Sequence, residues 1–316
     1  MYFPFLYGRG AELLAIRSLL RDPRDRSALV PIVEPVNANI APLRRCLDAC
    51  EEAGQPVVVV VNPGRHQLAN PGEARGWFRE AVEGLEACPS AYPAFRTNDR
   101  TSLAAANAVL NAFPEREVVL IHGGAGLGDQ ELRQVARDPR VAWHVVLDGT
   151  CPARQQDLLP GGKKVVVRDR FRKLDRNADY AGTEFFTDQH RTFPPHAGFG
   201  DYLCLGSEFK SGGSTPGAVA IHGVFKNPLN GDVWVEHFVS DDRDRNDGDV
   251  ASKFLQAAAH FVRAARRRPR EFGANPALNA YASYVRQSQY PGLSKNKEHQ
   301  IVHHICVVLD LLSGAL

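Results

Sequence analysis

The chain has 316 residues, of which 44% are hydrophobic and 23% charged. These proportions belong to an ordinary globular protein and exclude a disordered or collagen-like one. A formal net charge of +2 excludes a global basic field that would draw the protein to nucleic acid or membrane, and leaves only a local patch to consider. No apolar run is long enough for a membrane-spanning helix. The opening MYFPFLYGRG lacks the basic and apolar regions of a secretory signal. Six cysteines at positions 46, 50, 88, 151, 204 and 306 form no C-x-x-C pair, which argues against a zinc knuckle and for reduced thiols. The expected setting is cytoplasmic, without membrane.

Taken in order, the short apolar runs are Tyr2 to Leu6, Leu29 to Val36, Pro56 to Asn62, Ala91 to Arg96, Glu117 to His122, Trp143 to Asp148 and Lys164 to Asp169. VPIVEPV, PVVVVVN and EVVLIHGG are continuous and β-branched, as in strands buried on both faces of a parallel sheet. Helical patterns alternate with them: AELLAIRSLL, then Pro42 to Ala53 with Gly54 as its stop, GEARGWFREAVEGL, TSLAAANAVLNAF and GDQELRQVARD. Such alternation implies right-handed βαβ units. Residues 170–216 hold few helical signals and read as an extended loop or lid, with a short strand near Tyr202 to Leu205. AVAIHGVF and DVWVEHFV then flank NPLNG, a hairpin signal, and Ala218 to Phe225 is the candidate eighth strand. A helix follows over Asp249 to Arg268, and a last one over about Ser294 to Leu312, within a C-terminal segment 294–316. The expected fold is α/β: a (β/α)8 barrel of the TIM type, one domain over 1–316, with the extended loop and a hairpin near the eighth strand. An open doubly wound sheet is the alternative.

Both architectures place ligand sites at the carboxyl ends of the strands. The candidates there are Arg9, Glu34, Asn62, Arg96, His122, Asp148, Arg168 with Arg170, His222 and Lys226, joined by Asp201 and Tyr202 from GFGDYLCLG. Glu34, Asp148, Asp201 and His222 supply acid/base capacity, and the carboxylates can also hold a divalent metal. Arg9, Asn62, Arg96, His122, Arg168, Arg170, Tyr202 and Lys226 suit ligand binding, and several arginines together suit phosphate or carboxylate. The ordinary alternative is that these groups cap helices or form rim salt bridges.

Other motifs are weaker. HGGAGLGD precedes a helix but is neither a P-loop nor G-x-G-x-x-G, and reads first as a tight turn. SDDRDRNDGD fails the calcium-loop pattern, because Gly248 falls one place late. His299, His303 and His304 have helical spacing without the Glu of H-E-x-x-H. RAARRRPR at 263–270 is either a basic patch for nucleic acid or cations favoured at a helix end. No G-x-S-x-G elbow is present.

The opening MYFPFLYGRGAELLAIRSLL with VPIVEPV, together with FFTDQHRTF, GFGDYLCLG, AVAIHGVF, VEHFVSDD and YPGLSKNKEHQIVHH, resembles the Beta protein family of bacteria and phages, and more closely a related bacterial subgroup. The resemblance touches both ends and the middle of the chain. It implies one full-length domain, candidate site residues at Phe199 to Tyr202 and at Ile221 to His222, and, by association, a role in anti-phage conflict. It implies no particular chemistry.

Three function classes follow. One is an enzyme, of the phosphate-ester hydrolase kind, acting on a nucleotide or nucleic-acid end at the barrel mouth. Another is a non-catalytic barrel that senses a ligand or binds a protein partner, with the helix of His299, His303 and His304 as contact surface. Nucleic-acid binding through Arg263 to Arg270 is the third, disfavoured by the near-neutral charge.

Overall fold

The computed structural model describes residues 1–212 and 215–316. Gly213 and Ser214, inside the segment read as a lid, lie outside the described residues. The chain forms two compact units: Met1–Arg9, Ser27–Asp169 and Arg191–Tyr202 make the first, and Gly10–Arg26, Arg170–His190 and Leu203–Leu316 the second.

In the first unit the β-branched runs form strands β1 (Phe5–Tyr7), β2 (Ile32–Glu34), β3 (Val57–Val60), β4 (Ala91–Arg96), β5 (Val118–His122), β6 (Val141–Leu147) and β7 (Lys164–Arg168). Every neighbouring pair is parallel. The eighth strand is Gly198–Asp201, β9 in chain order, because β8 (Thr183–Thr187) belongs to the second unit; β9 pairs parallel with β7. Phe199 accepts from the Phe3 N–H at 2.8 Å, and its own N–H donates to the Met1 carbonyl at 3.1 Å. These bonds bring the last strand back to the first and nearly close an eight-stranded TIM-type barrel. Helix α1 (Gly10–Leu19) follows β1 and is counted with the second unit. The intervening helices of the barrel are α2 (Ala41–Glu52), α3 (Pro71–Glu86), α4 (Leu103–Ala112), α5 (Asp129–Ala136) and α6 (Ala153–Gln156).

The expected eighth strand is therefore displaced. Most of Ala218 to Phe225 lies in a strand, but it follows hairpin logic: β10 (Ala220–Lys226) runs antiparallel to β11 (Val233–Val239). A tight hairpin cannot join two strands of a parallel barrel. The true eighth strand reads GFGD, with no β-branched residue to mark it. Its glycines are required by packing. By register Gly198 and Gly200 share a face with Val165 and Val167. A Cβ on Gly198 would lie 2.7 Å from the Phe3 ring, and one on Gly200 would meet the Phe3 carbonyl. The short strand expected near Tyr202 to Leu205 is instead a single helical turn at Leu203–Leu205.

In the second unit the sheet order is β10-β11-β8. The short helix α7 (Gln189–Thr192) spans the sequence boundary between units, and α8 (Val250–Arg267), α9 (Pro269–Phe272), α10 (Pro276–Gln287) and α11 (Leu293–Ser313) complete the chain. One sheet face carries Ile221, Phe225 and Phe238 against Phe254 and Phe261 of α8. The other carries Ala220, Val224, Val235 and, from β8, Phe186, packed with Phe171 and Tyr180. Helix α8 begins at Asp249, whose carboxylate accepts from the Ser252 N–H at 2.7 Å. Helix α1 is tied to α11 by Lys297–Glu12 at 2.6 Å and by Ser18 donating to Glu298 at 2.9 Å. Among the described residues no helix is long and apolar enough to cross a membrane.

Gly200→Ala is expected to lower stability by about 3 kcal/mol or more, because the new methyl meets backbone rather than a yielding side chain. Urea denaturation checks this, and a variant as stable as the parent would contradict the close approach of β1 and β9.

Candidate functional site

Side chains alternate across a strand, so the register sorts the strand-end residues into two faces. Phe3, Tyr92 and Trp143 pack together, with centroids at 5.2 and 4.8 Å, and mark the lumen face. Counting in twos along β1, β2 and β4, and through the registered pairs, places Tyr7, Glu34 and Arg96 on that face, with Asn62 just past β3. The same counting past β7 and β9 reaches Asp169 and Tyr202. Phe5 lies between, 6.1 Å from Tyr7 and 5.0 Å from Tyr202.

The centre of this group is Glu34, whose side chain is 2% exposed. Its Oε2 accepts from Arg96 Nη1 at 2.6 Å, and its Oε1 lies 3.3 Å from Arg65 Nε. The Arg65 guanidinium sits 5.2 Å from the centroid of the Tyr7 ring. Asn62 holds the Arg96 backbone at both ends: its Nδ2 donates to the Arg96 carbonyl and its Oδ1 accepts the Arg96 N–H, each at 2.8 Å. A cavity of about 260 Å³ opens here, lined by Glu34, Asn62, Arg65, Arg96, Thr97 and Asn98 among others. Burial pushes the Tyr7 phenol up to about 12, with Arg65 opposing and Glu34 assisting. Burial also raises Tyr202, assisted by Tyr7. Both phenols are therefore neutral O–H groups at neutral pH.

The other strand-end candidates lie elsewhere. His122 shares a face with His144 and Val146, and Val146 packs on Leu132 and Ala136 of α5, so His122 points to the helix layer. Its Nε2 is 3.1 Å from His144 Nδ1. Asp201 is also on the face opposite the lumen, fully buried, and accepts from the Tyr2 hydroxyl at 2.9 Å. Asp148 and Arg168 pair with each other at 3.3 Å and are 50% and 36% exposed, a geometry worth little energy. Arg9 is half-buried just past β1.

Arg170, His222 and Lys226 belong to the second unit. Lys226 Nζ donates to the Leu316 carbonyl at 2.8 Å. His222 is buried against Phe171 and Tyr180, with its Nδ1 2.8 Å from His237 Nδ1. His303 and His304 are buried as well, which removes them from the expected contact surface. His303 faces Asn275 and the Val224 carbonyl at 3.0 and 2.9 Å, His299 faces the Tyr284 hydroxyl at 3.0 Å, and His304 lies 3.7 Å from Cys204. Among the described residues no group of three or more His, Cys, Asp or Glu is arranged to hold a metal ion.

HGGAGLGD is a packing turn. A Cβ on Gly124 would lie 2.6 Å from the backbone of Asn98 and Asp99, and Ala125 N–H is spent on the Asp99 carboxylate at 3.0 Å. Tyr7, Arg65 and Asp169 are absent from the set that strand-end reading selects. Alternation from Phe5 and Val167 would have found Tyr7 and Asp169. Arg65 sits in a loop and carries no such signal. No family model matches the chain, and no curated protein matches it.

Arg96→Ala is expected to cost about 3 kcal/mol or more, since it removes one of two cations from a buried carboxylate. Adding Glu34→Gln should recover more than half of that loss in urea denaturation; additive losses would show that the pair is not coupled. A pH prediction follows from the buried imidazoles. Burial lowers His122 and His222 from 6.5 to about 3, each helped by its neighbouring histidine, and lowers His144 to about 4. The unfolded chain then binds more protons below pH 6.5, so stability is full above that value and falls as pH drops toward 3. Denaturation across this window should show the fall, shallower by up to about 1.4 kcal/mol per pH unit in His222→Asn; parallel profiles would contradict it.

Proposed function

We propose that the mouth of the barrel binds the phosphate group of a small molecule, a nucleotide or a sugar phosphate, and acts on that group. The observation that carries this is Glu34, buried and holding Arg65 and Arg96 from its two oxygens at the wall of one cavity. Of the charged groups lining the cavity, two guanidinium groups stand against one carboxylate, and Asp169 lies outside that lining. Among the described residues, the Arg96 side chain uses only Nη1 for Glu34, which leaves further donors for an anion. A cavity of about 260 Å³ is slightly below the usual range for whole ligands, so it suits the phosphate end with the remainder of the molecule outside.

In this reading Glu34 positions the arginines. Arg65 and Arg96 neutralise charge that develops on a phosphoryl group, and the phenols of Tyr7 and Tyr202 offer protons. Asp169 acts electrostatically on both phenols and is the carboxylate assigned the base role in this reading. The resemblance to the Beta protein family adds a setting, conflict between bacteria and phages, and no chemistry. One observation favours the second reading, a non-catalytic ligand sensor: both oxygens of Glu34 are taken by arginines, which leaves that carboxylate no proton to move.

Calorimetric titration with inorganic phosphate, a sugar phosphate and nucleoside monophosphates tests the site. Binding is expected to weaken at least about tenfold, roughly 1.4 kcal/mol, in Arg65→Ala and in Arg96→Lys. Unchanged affinity in both variants would overturn the site. Binding without turnover of any phosphate ester would leave the sensor reading in place of the enzyme.

A further inference from the structure

The basic run at 263–270 takes no part in the barrel site. Helix α8 buries Phe254, Ala257, Ala258, Phe261 and Ala265, and so turns Arg263 and Arg267 outward, one turn or about 6 Å apart along the axis. Both line a groove of about 430 Å³ in the second unit, with Arg243 from the turn ahead of the helix and the Tyr180–Gly182 stretch on the facing side.

Three arginines and two acids line this groove. Asp241 is paired with His260 at 3.1 Å, and Glu236 is paired with Arg268. Arg268 is further fixed 4.8 Å from the Phe272 ring and serves the packing of its own unit. Arg243 spends one Nη1 bond on the Ala178 carbonyl at 3.2 Å. Among the described residues Arg263 and Arg267 have no ion pair or hydrogen bond. Glu236 is thus balanced by Arg268, Asp241 faces a histidine, and three exposed guanidinium groups line one groove.

We propose that this groove holds consecutive phosphates of a single-stranded nucleic acid. A site for one small phosphate encloses its donors. Here Arg243, Arg263 and Arg267 are all exposed, and the charge continues along the chain in Arg266 and Arg270, also exposed. An open row of arginines suits a backbone that passes over it. The near-neutral total charge then confines nucleic-acid affinity to this face of the second unit.

The test is fluorescence anisotropy of the full chain with a labelled oligothymidylate of about 20 nucleotides. Affinity should fall steeply between about 50 and 200 mM salt. The double variant Arg263→Ala, Arg267→Ala should bind at least tenfold more weakly, with the log–log salt slope reduced by about 1.4, the value for two lost contacts to a single strand. Arg133→Ala, an exposed arginine on α5, should bind as the parent does. Thermal melting confirms that the double variant is folded. Absence of binding at the lower salt, or parental affinity in the double variant, would overturn the proposal. So would an oligonucleotide that binds no more tightly than thymidine monophosphate, which would reduce the groove to a single-phosphate site.

Discussion

Closure of the parallel sheet is the constraint on which the first unit depends. An eight-stranded parallel sheet has two raw edges unless its last strand reaches its first. Here Met1 and Phe3 meet Phe199 through backbone hydrogen bonds, and two glycines on β9 allow the approach. The Phe3 ring then fills the lumen against Trp143, 5.2 Å away. Everything at the mouth inherits its direction from this closure. Strand alternation can send Tyr7, Glu34 and Arg96 to one interior only because the sheet has curled round one.

That interior contains a buried carboxylate, which is costly to desolvate without partners. Glu34 meets the cost through two arginines that come from different places, Arg96 from β4 and Arg65 from the loop after β3. The arrangement fixes the arginines as much as it satisfies the glutamate. Asn62 adds a second restraint by gripping the Arg96 backbone at both its N–H and its carbonyl. The result is a preorganised pair of forked donors whose placement needs no ligand.

The barrel was legible in the sequence wherever a strand was β-branched. VVVV at Val57–Val60 and VVLIH at Val118–His122 are strands because such residues pack well between two layers. GFGD was not legible, since its strand character comes from a neighbour's backbone and ring, which no local pattern encodes. The site was legible in part for the same reason. Glu34, Asn62, Arg96 and Tyr202 end strands on the lumen face, whereas His122 and Asp201 end strands on the other face. Polarity at a strand end says that a group is there; parity says where it points, and parity needs a register that only pairing supplies. Arg65 was out of reach because a loop's path depends on the whole barrel. The row of His299, His303 and His304 misled because helical spacing looks alike whether the face meets water or a core.

The two units alternate along the chain in six segments. Neither is a continuous stretch of gene. A crossover that swaps one contiguous block between related genes would carry pieces of both, and would leave each recipient unit lacking a strand or a helix. Such a chain carries its two units interleaved, so neither can be cut out as one contiguous block.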